Sequence, residues 1–246
     1  MTTAASGEGK RFKAVIFDNG GVILKLKTPI KDVEEKCGLP KGTIVKALFH
    51  PDPELRGPWK ELECGKMSLK TFERDHLAPW VHKKFPKAPV DPETQHTWTK
   101  IILSEEGLSS TVSTKMLVAV KKLRELGYRT AILTNNWYFT DENQALHAGH
   151  ETFKHLELFD LLVESCVVGM HKPNPDIYHH TCAKLEVKPE ECVFLDDLPW
   201  NVEGAAKLGM KGILVKDREE AIKEIEKSLG LEKCALRAKE KKDKKK

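Results

Sequence analysis

The sequence predicts an α/β fold: a parallel sheet covered by helices, with a helical segment inserted after the first strand. Three observations carry this. Short continuous apolar runs recur at Ala14–Phe17, Thr130–Leu133, Leu161–Val163, Cys192–Leu195 and Gly212–Val215, which is how buried parallel strands read. Helical periodicity fills the gaps between the later runs. Between about Pro29 and Gly107 there is no such run, and prolines from Pro51 to Pro92 punctuate the interval.

The elements follow in order. After the Ala14–Phe17 strand, the insert offers short helices around Ile30–Cys37, Thr43–Phe49, Trp59–Cys64 and Ser68–His76, the last with Ser68 as its N-cap. Trp59, Trp80 and Trp98 fall inside it and read as the packing of a small helical core, with ligand contact as the alternative. Met116, Val120, Leu123 and Leu126 share one helical face that ends at Gly127. Further helices are read over Asp176–Leu185, over Asn201–Leu208 before Gly209, and over Glu219–Leu229 before Gly230. Strands alternating with helices imply right-handed crossovers and a parallel sheet buried on both faces. No internal repeat is seen.

Composition narrows the class. The 246 residues, 40% hydrophobic, suffice for a full core. No apolar run reaches the roughly 18–20 residues of a membrane span, and Met1–Lys10 lacks an apolar signal core. The expectation is a soluble cytoplasmic protein with no membrane partner. The six cysteines, from Cys37 to Cys234, form no C-x-x-C pair and no zinc spacing, and read as reduced, mostly buried thiols. The net charge is a mild +4, and the lysine-rich run Lys239–Lys246 has no interleaved aromatic residues. It reads as a solvated end, and no nucleic-acid partner is expected.

The chemistry-bearing motifs each follow an apolar strand. Asp18 follows the first, in FDNGGV; Thr134 and Asn135 follow the second; Lys172 comes a short loop after the third; Asp196 and Asp197 follow the fourth. In an open parallel sheet the carboxyl ends of the strands line one crevice. Carboxylates, a hydroxyl and amide, and a lysine would thus face one another there, a set suited to phosphate plus a divalent cation. A phosphate ester needs a nucleophile, a charge-neutralising cation and donors for its oxygens. Asp18 can attack and form an aspartyl-phosphate. Mg²⁺, which prefers hard oxygen ligands, can be shared by Asp18 and Asp197, with Asp196 as an alternative or outer ligand. Thr134 and the Asn135 amide or backbone can hold phosphate oxygens, and Lys172 adds a positive charge that binds phosphate and offsets carboxylate repulsion. Gly20 and Gly21 allow a sharp turn and close approach. Taken singly, each motif has a plainer reading: turn, cap or exposed helix entry.

With these residues in this order, the sequence resembles the haloacid dehalogenase superfamily over about Arg11–Gly230. VESCVVG at Val163–Gly169, HKPNPDIY at His171–Tyr178 and VFLDDL at Val193–Leu198 are similar to the phosphatase-like N-terminal domains of soluble epoxide hydrolases and of an acyl-CoA dehydrogenase family; Gly42–Trp59 extends the second likeness. The resemblance implies a Rossmann-like core, residues 11–28 and 108–232, with a helical cap over 29–107 and flexible tails at 1–10 and 233–246. It implies Asp18 as nucleophile, Thr134 and Asn135 as phosphate binders, Lys172 as the stabilising lysine, and Mg²⁺ on Asp18, Asp197 and the Gly20 carbonyl.

One departure matters. The family pattern has a second Asp two residues after the nucleophile, as general acid and base; here that residue is Gly20. Losing such assistance costs roughly 10²–10⁴-fold. The expected function is a Mg²⁺-dependent phosphohydrolase acting on a small phosphorylated metabolite, with weakened acid catalysis. The alternative is a non-catalytic module that binds phosphate and Mg²⁺. Carbon–halogen hydrolysis would leave the Asp196–Asp197 pair without a purpose.

Overall fold

The computed structural model describes residues 10–25, 34–35, 38–43, 52–87, 111–140 and 154–238. Five parallel strands form the main sheet: β1 (Ala14–Phe17), β4 (Arg129–Thr134), β5 (Leu161–Glu164), β6 (Cys192–Asp196) and β7 (Lys211–Leu214), in the order β5-β4-β1-β6-β7. β1 is central. Phe17 pairs with Ile132 on one side and Leu195 on the other, so β6 runs one residue and β4 two residues past the end of β1.

Alternation along β1 assigns its two faces. Val15 and Phe17 pack with Ile132 and Leu195 against helices α4 (Thr114–Glu125) and α8 (Arg218–Ser228). Ala14 and Ile16 pack with Phe194 against α6 (Pro175–Leu185) and α7 (Pro199–Ala206). The sheet is therefore buried on both faces, as its continuous apolar runs require. A short helix, α5 (Ser165–Val168), follows β5. The core helices end at the glycines anticipated for them; after α4, Tyr128 N donates to Leu123 O at 2.9 Å across Gly127.

A two-stranded antiparallel ribbon escaped the sequence reading. β2 (Leu24–Lys25) pairs with β3 (Thr111–Val112), and each is too short to show a period. Between them in the chain lie α1 (Pro53–Glu63), α2 (Leu69–Phe72), a π turn at Glu73–Leu77 and α3 (Ala78–Lys84). The sequence started the first of these helices around Trp59. It begins instead at Pro53, where Asp52 accepts from Glu54 N at 3.1 Å and proline occupies the first turn at no hydrogen-bond cost. Ser68 caps α2 as expected, accepting from Thr71 N at 3.1 Å. The helical path runs past His76 to Lys84 because the π turn lets Pro79 fall in the first turn of α3.

These helices bury their own apolar cluster, including Leu55, Leu62, Phe72 and Val81. Trp59 and Trp80 pack against it, as read from the sequence. Trp137 and Phe139, from the loop after β4, join it. Of the helix read over Ile30–Cys37 only Glu34 and Glu35 are described, both helical; most of Thr43–Phe49, Trp98, and Lys239–Lys246 lie outside the described residues. Among the described cysteines Cys166, Cys182 and Cys192 are buried thiols, Cys64 is half-buried and Cys234 is exposed. No helix among the described residues is long and apolar enough to cross a membrane.

Candidate functional site

The neighbouring strand ends bring the sequence-predicted residues together. Asp18 leaves β1, Thr134 ends β4, and Asp196 ends β6 with Asp197 next. Lys172, in the loop between α5 and α6, reaches under them: its Nζ lies 2.7 Å from Asp18 Oδ1, 2.7 Å from Asp196 Oδ2 and 2.9 Å from Leu133 O. The lysine side chain is 1% exposed. The plain reading of an exposed helix entry is thus excluded. This ammonium is the buried counter-charge for two carboxylates.

Asp196 is fully enclosed. Its Oδ1 accepts from Leu198 N at 2.9 Å and Asn201 Nδ2 at 3.1 Å, and its Oδ2 accepts from Lys172 and from Asn201 Nδ2 at 3.1 Å. Through Leu198 N and Asn201 it also holds the entry to α7. Asp197 is half-buried and leans on the glycine turn. Gly21 has φ +70°, and a Cβ there would lie 2.1 Å from Asp197 Oδ2, so both conformation and space demand glycine. Arg218, at the start of α8, pins the same turn by donating to the carbonyls of Gly21, Val22 and Leu24 at 2.8–2.9 Å.

The electrostatics follow from burial. Burial raises the Asp18 carboxyl to about 7; Lys172 opposes the rise and Asp196 adds to it. Burial, then the Asp196 charge, lifts Asp197 to about 6. Burial alone would lower Lys172, but Asp18 and Asp196 outweigh it and hold the ammonium above its ordinary range. Asp18, Asp196 and Asp197 each offer a carboxylate oxygen, and these atoms all lie within 4.8 Å of one another. Three hard oxygen donors carrying more negative charge than one lysine can offset suit a small divalent cation such as Mg²⁺.

Thr134 is buried, its hydroxyl 3.3 Å from Asn135 O. The Asn135 side chain is engaged elsewhere: its Oδ1 accepts from Lys172 N at 2.8 Å, and its Nδ2 donates to Lys172 O at 3.0 Å and to Glu63 Oε1 at 3.0 Å. Of the two groups read for Asn135, the side chain thus steadies the lysine loop. Gly20 lies in the turn between Asp18 and Gly21, with a bridge to Leu24. Sequence reasoning missed Glu63, His171, Asn201 and Arg218. The partners of Glu63 and Arg218 are distant in sequence, whereas His171, adjacent to Lys172, and Asn201, five residues after Asp196, lay beside the motifs.

The sequence profile of the haloacid dehalogenase-like hydrolases matches residues 12–209, and the chain belongs to that family. It is 33% identical over 225 residues to mouse Acyl-CoA dehydrogenase family member 10, an alignment covering 90% of this chain and 20% of that protein. It is also 33% identical over 222 residues to rat Bifunctional epoxide hydrolase 2, covering 89% and 39% respectively. The chain thus spans well under half the length of these relatives. Among solved structures, the fold matches a haloacid dehalogenase family enzyme from Bacteroides thetaiotaomicron in complex with magnesium and inorganic phosphate. Its TM-score is 0.52 at 20% identity, covering 83% of this chain and 94% of that one.

Proposed function

We propose that this hydrolase is a Mg²⁺-dependent phosphatase that cleaves small phosphate monoesters through an aspartyl-phosphate on Asp18. The observation that carries the reading is the buried Lys172 ammonium between Asp18 and Asp196, with Asp197 completing the carboxylate cluster. A solvated strand-end Asp needs no such machinery. Asp18 and Asp197, with the Gly20 carbonyl, would hold Mg²⁺. Asp196, whose oxygens already accept four hydrogen bonds, keeps Lys172 and Asn201 in place. When bound, the ion supplies positive charge that offsets the carboxylates and the phosphate oxygens.

An Asp18 carboxylate oxygen attacks phosphorus and the ester P–O bond breaks, the electron pair leaving with the alcohol oxygen. Thr134 and the Asn135 backbone bind the non-bridging oxygens, and Lys172 balances the charge on Asp18. Water then cleaves the acyl phosphate, releasing inorganic phosphate and regenerating Asp18. Position 20 supplies no carboxyl to protonate the departing oxygen, so good leaving groups are favoured: aryl phosphates, acyl phosphates and anomeric sugar phosphates. Residues 29–107 would form a cap over 11–28 and 108–232, excluding water and selecting the substrate.

The deciding experiment is release of phosphate from an aryl phosphate and a panel of metabolites with Mg²⁺, against an Asp18→Asn control. Turnover abolished by Asp18→Asn is expected. Gly20 also favours a second reading, a module that binds phosphate and Mg²⁺ without turnover. A folded protein that binds Mg²⁺ and vanadate but cleaves no activated ester would establish it.

A further inference from the structure

The carboxylate of Glu63 stands at the end of α1, far from the motif residues in sequence, yet it touches one of them, Asn135, and the neighbour of another, His171. Its Oε1 accepts from Asn135 Nδ2 at 3.0 Å, and its Oε2 lies 3.3 Å from His171 Nδ1. The same Nδ1 lies 2.9 Å from Lys172 O, which also accepts from Asn135 Nδ2 at 3.0 Å. Glu63, Asn135, the Lys172 carbonyl and His171 therefore close a ring.

Hydrogen-bonding capacity fixes its protons. An ionised carboxylate and a carbonyl only accept, so the His171 proton must sit on Nδ1, shared between Glu63 and Lys172 O. Asn135 must turn Nδ2 toward the two acceptors and Oδ1 toward Lys172 N, 2.8 Å away. Both hydrogens of Nδ2 are then used, and Lys172 O receives two donors. The Glu63 and His171 side chains are only 12% and 17% exposed, so water competes weakly for these bonds.

The surroundings place this contact. Trp59, one turn before Glu63 on the same helical face, packs on Trp137 at 5.9 Å between ring centroids. Gly65, two residues after Glu63, has φ +69°, and a Cβ there would lie 2.2 Å from Cys166 O. The end of α1 is thus pressed onto α5 and the loop after β4, the two segments that flank Asn135 and Lys172.

We propose that Glu63 is a positioning residue for the phosphate site: the inserted segment supplies the acceptor that locks Asn135 and His171 onto the Lys172 backbone. Docking of α1 and seating of Lys172 beside Asp18 then become one event. The proposal deepens the phosphatase reading and rests on it for the meaning of the site.

The test uses the full chain, Glu63→Ala, Glu63→Gln, His171→Ala and the Glu63→Ala/His171→Ala double variant. Two readouts apply: hydrogen exchange without ligand, and vanadate affinity with Mg²⁺. Glu63→Ala should lose protection at residues 134–137 and 169–174 while β1 and β6 keep theirs. Each alanine variant should weaken vanadate binding by roughly 5–20-fold, and the double variant no more than the worse single, because a closed network fails as a unit. Glu63→Gln, which keeps one acceptor and disturbs packing least, should fall between. Three results would overturn the proposal: protection lost only within residues 53–84 with vanadate affinity unchanged, additive losses in the double variant, or a Glu63→Gln protein identical to the parent in both readouts. If the parent protein binds no vanadate, the phosphatase reading fails, while the ligand-free exchange still decides the role of Glu63.

Discussion

Replacing Lys172 with alanine removes a cation that is sealed between Asp18 and Asp196 and also satisfies Leu133 O. The variant keeps two buried carboxylates with no ammonium between them and a carbonyl without its donor. Breaking a buried ion pair from one side costs about 3–5 kcal/mol. For a chain of this size that lowers Tm by roughly 10 °C. The pH dependence has a definite sign. Burial already raises Asp18 to about 7, with Lys172 opposing the rise; without Lys172 it rises further above its unfolded value. The folded state then binds more protons than the unfolded state above about pH 4, so stability falls as pH rises. The penalty of Lys172→Ala should accordingly be smaller near pH 5.5 than near pH 8. Urea denaturation of both proteins in chelator at the two pH values measures it, and added Mg²⁺ should restore part of the loss by supplying the missing positive charge. A variant within about 0.5 kcal/mol of the parent at both pH values would refute the reasoning, since that is what an exposed helix-entry lysine is worth.

Three further outcomes are expected. Mg²⁺ binding should release protons near pH 6 and almost none well above pH 8, because Asp18 and Asp197 are raised to about 7 and about 6 in the free protein; calorimetry in buffers of different ionisation enthalpy counts them, and no release near pH 6 would contradict the burial argument. Gly21→Ala should lose about 1–3 kcal/mol from its left-handed backbone and should also weaken Mg²⁺ binding, because its Cβ would displace the Asp197 carboxylate; metal titration alongside a denaturation curve separates the two effects, and unchanged Mg²⁺ affinity would remove Asp197 from the site. Gly20→Asp should accelerate esters with poor leaving groups most, by up to roughly 10²–10⁴-fold, since the positive φ falls on Gly21 and not on Gly20; a rate that depends on leaving-group pKa as steeply as the parent's would mean the new carboxyl does not reach the oxygen.

The sheet was legible because each of its strands contains a short apolar run, a pattern set at the central strands by burial on both faces. The motif residues were legible for a related reason: strand ends in such a sheet converge, so order along the chain becomes proximity in space. Boundaries in the insert were harder. The prolines punctuate the pattern, yet α1 starts at Pro53 under the Asp52 cap and runs through Pro58, and a π turn leads into the first turn of α3, which holds Pro79. Two of the supporting residues had no local pattern to show them. Arg218 holds carbonyls nearly two hundred positions earlier, and Glu63 meets Asn135 across 72 positions. For Asn135 the sequence left amide and backbone open as anion-binding groups, and the contacts that engage its side chain, with Lys172 and Glu63, lie far off in the chain.

The short β2–β3 ribbon has a consequence for how such a chain can diversify. Leu24 pairs directly with Val112, and Ser113 N donates to Ile23 O at 2.9 Å, so the polypeptide leaves the core at Lys25 and returns at Thr111 through neighbouring strands. Paired strands hold their backbones about 5 Å apart. Whatever lies between them meets the core at two fixed adjacent points, and lengthening it adds only a slowly growing closure cost. That neck is a natural grafting point: one segment can be exchanged for another while Asp18 and Asp197 stay where the sheet puts them. A graft that offers no acceptor in place of Glu63, however, would arrive folded on its stalk and leave Asn135 and His171 without the partner they have here.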